Sequence, residues 1–167
     1  MSKSFVVKGV LALLCAVSLS SAAFAQMVVP TTPYGTPVTL AVAKRAAAAA
    51  AAHAQKINVT MAIAVVDPAG KLVYLEKMDG TQYASVDVAI DKARSSAEYR
   101  RPTKVFQDAV VKGGDGLRFL TLRGAVAIEG GQPLIVDGKI IGAIGLSGAA
   151  GAQDEECAKA GAQAIAK

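Results

Sequence analysis

Few side chains in this sequence could act as metal ligands or catalysts. His53 is the only histidine, and it lies in an alanine-rich stretch that favours a helix. A neutral imidazole can bind a metal ion, including a haem iron, although a lone histidine on a helix is more often a surface or packed residue. Asp67 and Asp79 flank a predicted hairpin, and Asp67 has the position of a turn-capping residue. They form no convincing acid–base pair, so we assign no catalytic residue.

The glycine-rich segment 142–148 matches a nucleophile elbow only in part. Ala149 stands where the pattern G-x-S-x-G requires a glycine. Tight packing of a strand against a helix explains these glycines better. No lysine of a phosphate-binding loop follows them, no C-x-x-C occurs, and no His/Asp/Glu cluster has zinc spacing. The sequence therefore favours neither a serine hydrolase nor a structural metal site.

The first 25 residues have the pattern of a secretory signal peptide. Lys3 and Lys8 form a basic start, an apolar run follows over 10–19, and Ala23 and Ala25 have the small-x-small spacing of a cleavage site. The apolar run is too short to span a bilayer, which takes about 20 residues. We expect cleavage after Ala25 and a periplasmic or secreted chain without stable membrane insertion.

Loss of the signal peptide changes the charge and the cysteine count. The chain of 167 residues has 18 basic and 13 acidic side chains, a net charge of +5, whereas the 142 residues after Ala25 would carry +3. This small excess, with no tryptophan and few other aromatic residues, does not indicate a nucleic-acid partner. Cys157 would be the single remaining cysteine, so no intrachain disulfide is expected.

The first half of the remaining chain predicts an arm, a helix and a hairpin. Residues 26–37 are rich in proline and threonine, which is typical of a flexible arm. The stretch 38–56 predicts a close-packing helix whose start could be the Thr36-Pro37 pair. Apolar residues over 59–66 and the segment 71–78 predict two strands joined by a Pro/Gly turn.

The second half alternates between helices and short strands. Apolar residues at helical spacing predict an amphipathic helix over 85–100, and a proline-capped helix follows to about Lys112. Three further strands are predicted, the last two joined by an Asp-Gly turn: 125–129, 133–136 and 139–147. A final helix is predicted over 154–167, with acidic residues in its first turn, as the helix dipole favours.

This order of elements indicates one domain over 38–167. The strands follow one another as hairpins rather than through helical crossovers, which predicts an antiparallel sheet. Helices occur at both ends and in the middle of the chain, so they can cover the sheet. The predicted fold class is therefore α+β.

Seven short strings resemble the GlcG/HbpS-like family of haem-binding proteins, which is related to the C-terminal module of some corrinoid adenosyltransferases. The resemblance covers about 38–167, and it rests on the number and order of the strings. They are AVVDPAG at 64–70, MDG at 78–80, DKA at 91–93, GGQP at 130–133, VDG at 136–138, IIGAIGLSG at 140–148 and QDE at 153–155.

The family resemblance implies a profilin-like α/β/α sandwich with a five-stranded antiparallel sheet. It also implies haem as the ligand, a role in haem handling or redox sensing, and self-association into homo-oligomers from dimer to octamer. In some relatives a histidine on the first helix binds the iron, and His53 occupies a comparable place. Relatives often have arginine before the Met-Asp-Gly string, where this chain has Lys77, and Thr-Ala where it has Ser95-Ser96.

A haem site needs an axial donor, an apolar slot and cations for the propionates. His53 could bind the iron and Met78 could be a second, soft donor, while Lys92, Arg94 or Arg100 could pair with the propionates. Each has a structural alternative, because a methionine at the end of a strand is often part of the core and helical basic residues are often solvated.

Two other classes of function stay open on the sequence alone. The alanine- and glycine-rich faces could serve subunit packing in an oligomeric accessory or assembly protein without a haem role. The chain could also be an enzyme that acts on a small metabolite or degrades haem.

Overall fold

The computed structural model describes residues 32–166. In chain order the elements are α1 (Leu40–Lys56), β1 (Ala62–Val66), β2 (Leu72–Lys77), α2 (Ser85–Tyr99), α3 (Lys104–Lys112), a 3-10 helix (Gly114–Thr121), β3 (Gly131–Val136), β4 (Lys139–Ser147) and α4 (Gly151–Gln163). None of the helices within 32–166 is long and apolar enough to cross a bilayer. The predicted signal peptide, 1–25, lies outside this range.

The strands form one antiparallel sheet in the order β2-β1-β4-β3. The predicted α+β fold class is confirmed, but the sheet has four strands where five were expected. Residues 125–129 are not a strand. Two of their backbone N–H groups instead donate to side chains on α2 and α3. Val126 N–H donates to Ser95 Oγ, and Glu129 N–H donates to Gln107 Oε1.

Helices cover both faces of the sheet. On one face α1 and α4 pack against the odd-numbered residues of β1, and on the other α2 packs against the even-numbered ones. The fully buried residues of α2 in this contact are all alanine: Ala89, Ala93 and Ala97. Val86 and Ile90 pack beside them. Small side chains let the backbones approach closely: a Cβ added to Gly145 would lie 2.2 Å from the Ala89 carbonyl oxygen. The alanine excess therefore builds the helix–sheet contacts.

Helix α1 begins later than predicted, because its N-cap is Thr39 rather than the Thr36-Pro37 pair. The Thr39 hydroxyl accepts the Val42 N–H at 3.4 Å. The buried alanines of α1 recur every three or four residues, so they form a single face: Ala43, Ala46, Ala47, Ala50, Ala51 and Ala54. That face packs against α4, where Gly161 lies beside the Ala46 carbonyl.

The segment 32–37 belongs to the stretch predicted as a flexible arm. The structure instead places it against the sheet, where Tyr34 pairs in parallel with Ile140 of β4. The phenolic oxygen of Tyr34 lies 3.0 Å from the carbonyl oxygens of Ala97 and Glu98, near the end of α2. These residues thus extend the sheet beyond the last β1–β4 pair, Val66 and Ala143. The rest of the predicted arm, 26–31, is outside the described residues.

A buried ion pair joins the two helical layers. The Lys92 ammonium of α2 donates to Asp154 Oδ2 of α4 at 2.7 Å and to the Leu146 carbonyl at 2.9 Å. The side chains of Lys92 and Asp154 are only 1% and 4% exposed. Gly130 makes the contact possible, because a Cβ there would lie 2.9 Å from Lys92 Nζ. Burial raises the pKa of the Asp154 carboxyl, and the hydrogen bond from Lys92 opposes that rise.

Two of the three acidic residues of α4, Asp154 and Glu155, are buried and act as hydrogen-bond acceptors. Helix α4 begins at Gly151, three residues before the predicted start, so Asp154 and Glu155 lie inside it. Asp154 also accepts the Ala149 N–H, and Glu155 accepts the Gly130 N–H and the Gln132 side-chain amide. These bonds satisfy the backbone N–H of Gly130, just before β3, and that of Ala149, just before α4.

We predict that Lys92→Met lowers the free energy of unfolding by about 3–5 kcal/mol, because it leaves the Asp154 carboxylate buried without its counter-charge. Urea denaturation followed by circular dichroism measures the loss, and the double variant Lys92→Met/Asp154→Asn should recover part of it. Lys104→Met is the matched control, since Lys104 and Asp108 form an exposed pair of the same 2.7 Å length. An unchanged urea midpoint in Lys92→Met would contradict a structural role for the pair.

Candidate functional site

His53 lies in the last turn of α1 and faces α4. Its Nε2 is 2.8 Å from Glu156 Oε1, and the two side chains are 24% and 57% exposed. The imidazole is therefore reachable from solvent, but Glu156 holds Nε2 itself. In metal sites a carboxylate typically holds the ring nitrogen that does not bind the metal. Iron would bind at Nε2, because the Cβ of the same side chain crowds Nδ1. Glu156 would therefore have to turn away from Nε2.

Met78 directly follows β2 and packs against the α1–α4 core, so most of its side chain is covered. Its carbonyl accepts the Thr81 N–H at 3.2 Å. The Thr81 side chain is buried, and its hydroxyl has no hydrogen-bond partner among residues 32–166. Such a buried hydroxyl is costly unless something satisfies it. Thr81 is a candidate site residue that the sequence analysis missed, because threonine in a loop carries no distinctive signal.

Tyr83, two residues further on, is 90% exposed. The Lys77 ammonium lies 5.4 Å from the centre of its ring. An aromatic face and a cation therefore stand together at the surface, next to the loop that holds Met78 and Thr81. An exposed aromatic ring beside a cation is suited to stacking on a flat ligand.

These residues share one end of the sheet. Ala62, at the start of β1, pairs with Lys77 at the end of β2 and with Ser147 at the end of β4. The C-terminal end of α1 reaches the same end, where the Val59 N–H donates to the Ala54 carbonyl. His53 and Met78 also belong to the same face of the sheet, the one covered by α1 and α4.

Lys92 and Arg94 do not join His53 in one site. The Lys92 ammonium forms the buried ion pair with Asp154, so it is not available to a ligand. Arg94 is exposed and pairs with Asp91 at 3.2 Å. It lies beside Gly70 in the β1–β2 turn, at the other end of the sheet and on its other face. Arg100, which caps α2, stacks on Tyr34.

The remaining reactive side chains offer little chemistry. Cys157 is buried and free, and burial raises the pKa of its thiol to about 11, which disfavours the thiolate that binds metals. Asp67 caps the hairpin turn by accepting the Ala69 and Lys71 N–H groups. Within residues 32–166 no three His, Cys, Asp or Glu side chains cluster in a way that could hold a metal ion.

Comparison with known proteins confirms the family resemblance. Residues 38–163 match the family described as haem degrading protein HbpS-like. Protein GlcG of Escherichia coli strain K12 is 41% identical over 100 residues, which are 60% of this chain and 73% of GlcG.

Two solved structures share the fold. The crystal structure of HbpS superposes with a TM-score of 0.71 at 30% identity, covering 78% of this chain and 92% of HbpS. The crystal structure of the PduOC:haem complex superposes with a TM-score of 0.69 at 26% identity, covering 78% of this chain and 96% of that one. With the match over 38–163, these similarities show that the chain belongs to the HbpS-like family.

Proposed function

We propose that this chain is an exported protein that binds haem or a related tetrapyrrole at the end of the sheet where His53 and Met78 lie. The observation that carries the proposal is His53, a solvent-reachable imidazole at that end of an HbpS-like fold. A relative of the same fold, PduOC, has been crystallised as a haem complex, which supports a haem-related role.

The donor groups of the chain fit a haem iron with one strong ligand. His53 is the only histidine, and Cys157 is excluded by its burial and raised thiol pKa. Met78 could donate its thioether only if the packing around it opened, because it lies against the core. His53 is therefore the residue that would hold the iron, and haem would supply the coordination and redox chemistry.

Other groups at this end of the sheet fit the rest of a tetrapyrrole. The Thr81 hydroxyl lacks a partner among residues 32–166 and could donate to a carboxylate. Lys77 pairs with Ala62, so it lies on the α2 face at this same end of the sheet. Its ammonium is a cation for a propionate that reaches around the sheet end, in the position where relatives often carry arginine. Tyr83 offers an exposed ring face for stacking. Lys92 and Arg94 have no part in this site, for the reasons of geometry given above.

Binding explains these features better than catalysis does. Among the described residues, Glu156 is the one acidic side chain that contacts His53. The Asp67 carboxylate accepts N–H groups of its own hairpin turn, so it does not serve as a catalytic base. Degradation of haem, as the family description implies for its namesake, would draw its chemistry from the bound iron. Glu156, which would have left Nε2, would then be an exposed carboxylate near the iron site that can exchange protons with solvent.

We predict that the purified protein binds hemin saturably, with a shift of the Soret band, and that His53→Ala weakens binding at least about tenfold, the effect of losing about 1.4 kcal/mol. Arg94→Gln is the control and should bind hemin as the wild type does. Absorbance titration measures all three proteins. A wild type without a saturable Soret shift would refute haem binding, whereas unchanged binding in His53→Ala would refute only the role of His53.

Export can be tested by fractionating the cells and sequencing the N-terminus of the recovered protein. We predict that the chain expressed from Met1 in a Gram-negative host is recovered from the periplasm with Gln26 as its first residue. Ala25→Leu places a large residue at the cleavage position and should leave the precursor uncut, while Ala22→Leu should be processed normally. Recovery of an uncut wild-type chain from the cytoplasm would contradict the signal peptide.

We further propose that the chain self-associates, because several large apolar side chains stay exposed in the single subunit. Val111 is 80% exposed, Leu120 64% and Leu40 51%. Burial of such side chains between subunits would remove apolar surface from water. Light scattering coupled to gel filtration should give a mass of at least twice that of one subunit, and a monomer at all concentrations would contradict this proposal.

A further inference from the structure

A groove separate from the His53 end opens between α3 and the 3-10 helix. Its volume is about 370 Å³, which lies in the lower part of the range for small-ligand sites. The residues that line it are Arg101, Val105, Asp108, Ala109, Lys112 and Phe119.

Arg101 is fixed in this groove with its terminal nitrogens unused. Its Nε donates to the Tyr99 carbonyl at 3.1 Å, and its guanidinium lies 5.5 Å from the centre of the Phe106 ring. No carboxylate within residues 32–166 forms an ion pair with it. Partial burial lowers the pKa of Arg101, and the neighbouring Arg100 charge adds to that effect. The guanidinium is thus a positioned cation whose charge is not balanced by the protein.

The other charges of the groove leave this cation uncompensated. Asp108 is the one acidic residue of the lining, and its carboxylate is bound by Lys104 at 2.7 Å. Lys112 adds a second positive charge and forms no ion pair with the described residues. The groove therefore favours an anion at the Arg101 end, since a guanidinium pairs with a carboxylate through two parallel hydrogen bonds.

The remaining lining of the groove is apolar. Phe119 is buried at its base, packed 5.2 Å from Phe106 between ring centres, while Val105 is partly exposed. Ala109 leaves room between them. A ligand that consisted of a carboxylate alone would leave the apolar lining of the groove exposed to water. The lining therefore favours a carboxylate attached to an apolar body.

We propose that the groove binds such a ligand, with its carboxylate on Arg101 and its apolar part against Val105, Ala109 and Phe119. An aliphatic carboxylic acid and a propionate-bearing edge of a tetrapyrrole share this chemistry. The groove does not contain His53, so carboxylate binding in the groove does not depend on iron binding by that residue.

Decanoate below its micellar concentration is the probe, titrated into the full-length protein by isothermal calorimetry. We expect saturable binding to the wild type and at least about tenfold weaker binding to Arg101→Gln, the effect of losing a charge-assisted hydrogen bond. Decan-1-ol, which lacks the carboxylate, should bind more weakly than decanoate. Arg94→Gln removes an exposed arginine elsewhere and should bind decanoate as the wild type does.

A second variant keeps the test decisive if Arg101→Gln misfolds. Ala109→Leu keeps Arg101 but fills the groove, so it should also weaken decanoate binding at unchanged circular dichroism. Absence of saturable binding to the wild type, or wild-type affinity in either Arg101→Gln or Ala109→Leu, would overturn the proposal.

Competition identifies the source of the carboxylate. If hemin displaces decanoate from both the wild type and His53→Ala, the groove holds a propionate edge. If hemin binds without displacing decanoate, the groove serves aliphatic carboxylates. Both outcomes support a carboxylate site on Arg101, and decanoate binding that persists in His53→Ala separates this site from the proposed iron site.

Discussion

The buried contact between Lys92 and Asp154 is the constraint on which the arrangement of this domain depends. It ties α2, on one face of the sheet, to α4 on the other, and it also holds the last part of β4 through the Leu146 carbonyl. Two charges removed from water are tolerated only if each finds partners, and here every partner comes from a different element. The register of α4 is thereby set, and Glu156, two residues after Asp154, reaches His53.

Small side chains complete this geometry. The alanine face of α1 and Gly161 of α4 allow the two helices to approach closely enough for His53 and Glu156 to touch across them. Large side chains at these positions would separate the helices and move the imidazole from its carboxylate. Packing on the α1–α4 face therefore places the candidate iron ligand, while the groove with Arg101 depends on α3 and the 3-10 helix. The domain thus carries two separate binding surfaces.

Regular patterns in the sequence predicted the elements that local signals determine. Helix α2 and strand β4 were placed within one residue of their observed ends, and the Asp137-Gly138 turn joins β3 to β4 as expected. Both turn residues have positive φ, the conformation that an Asp-Gly pair favours. The strand predicted over 125–129 was wrong, and two of its N–H groups donate instead to distant side chains, Ser95 and Gln107. Local periodicity carries no information about such bonds.

The candidate site was less predictable for the same reason. The sequence suggested His53 and Met78, which the structure places on one face at one end of the sheet. It also suggested Lys92 and Arg94, which are respectively buried in an ion pair and placed at the opposite end. A lysine at helical spacing looks solvated until its partner is known, and Asp154 is 62 residues away. No sequence pattern singled out Thr81 or Arg101. Among the described residues, the Thr81 hydroxyl lacks a hydrogen-bond partner and Arg101 lacks a carboxylate partner, and only the structure shows this.

Binding of a haem iron by His53 can be tested directly, because His53 is the single histidine of the chain. We suggest expressing the untagged protein with histidine labelled isotopically at the ring nitrogens, adding unlabelled hemin, and recording pulsed electron paramagnetic resonance of the ferric complex. Iron binding by His53 predicts a hyperfine coupling to the labelled nitrogen, which only this residue can supply. A complex that shows couplings to the porphyrin nitrogens alone would contradict it.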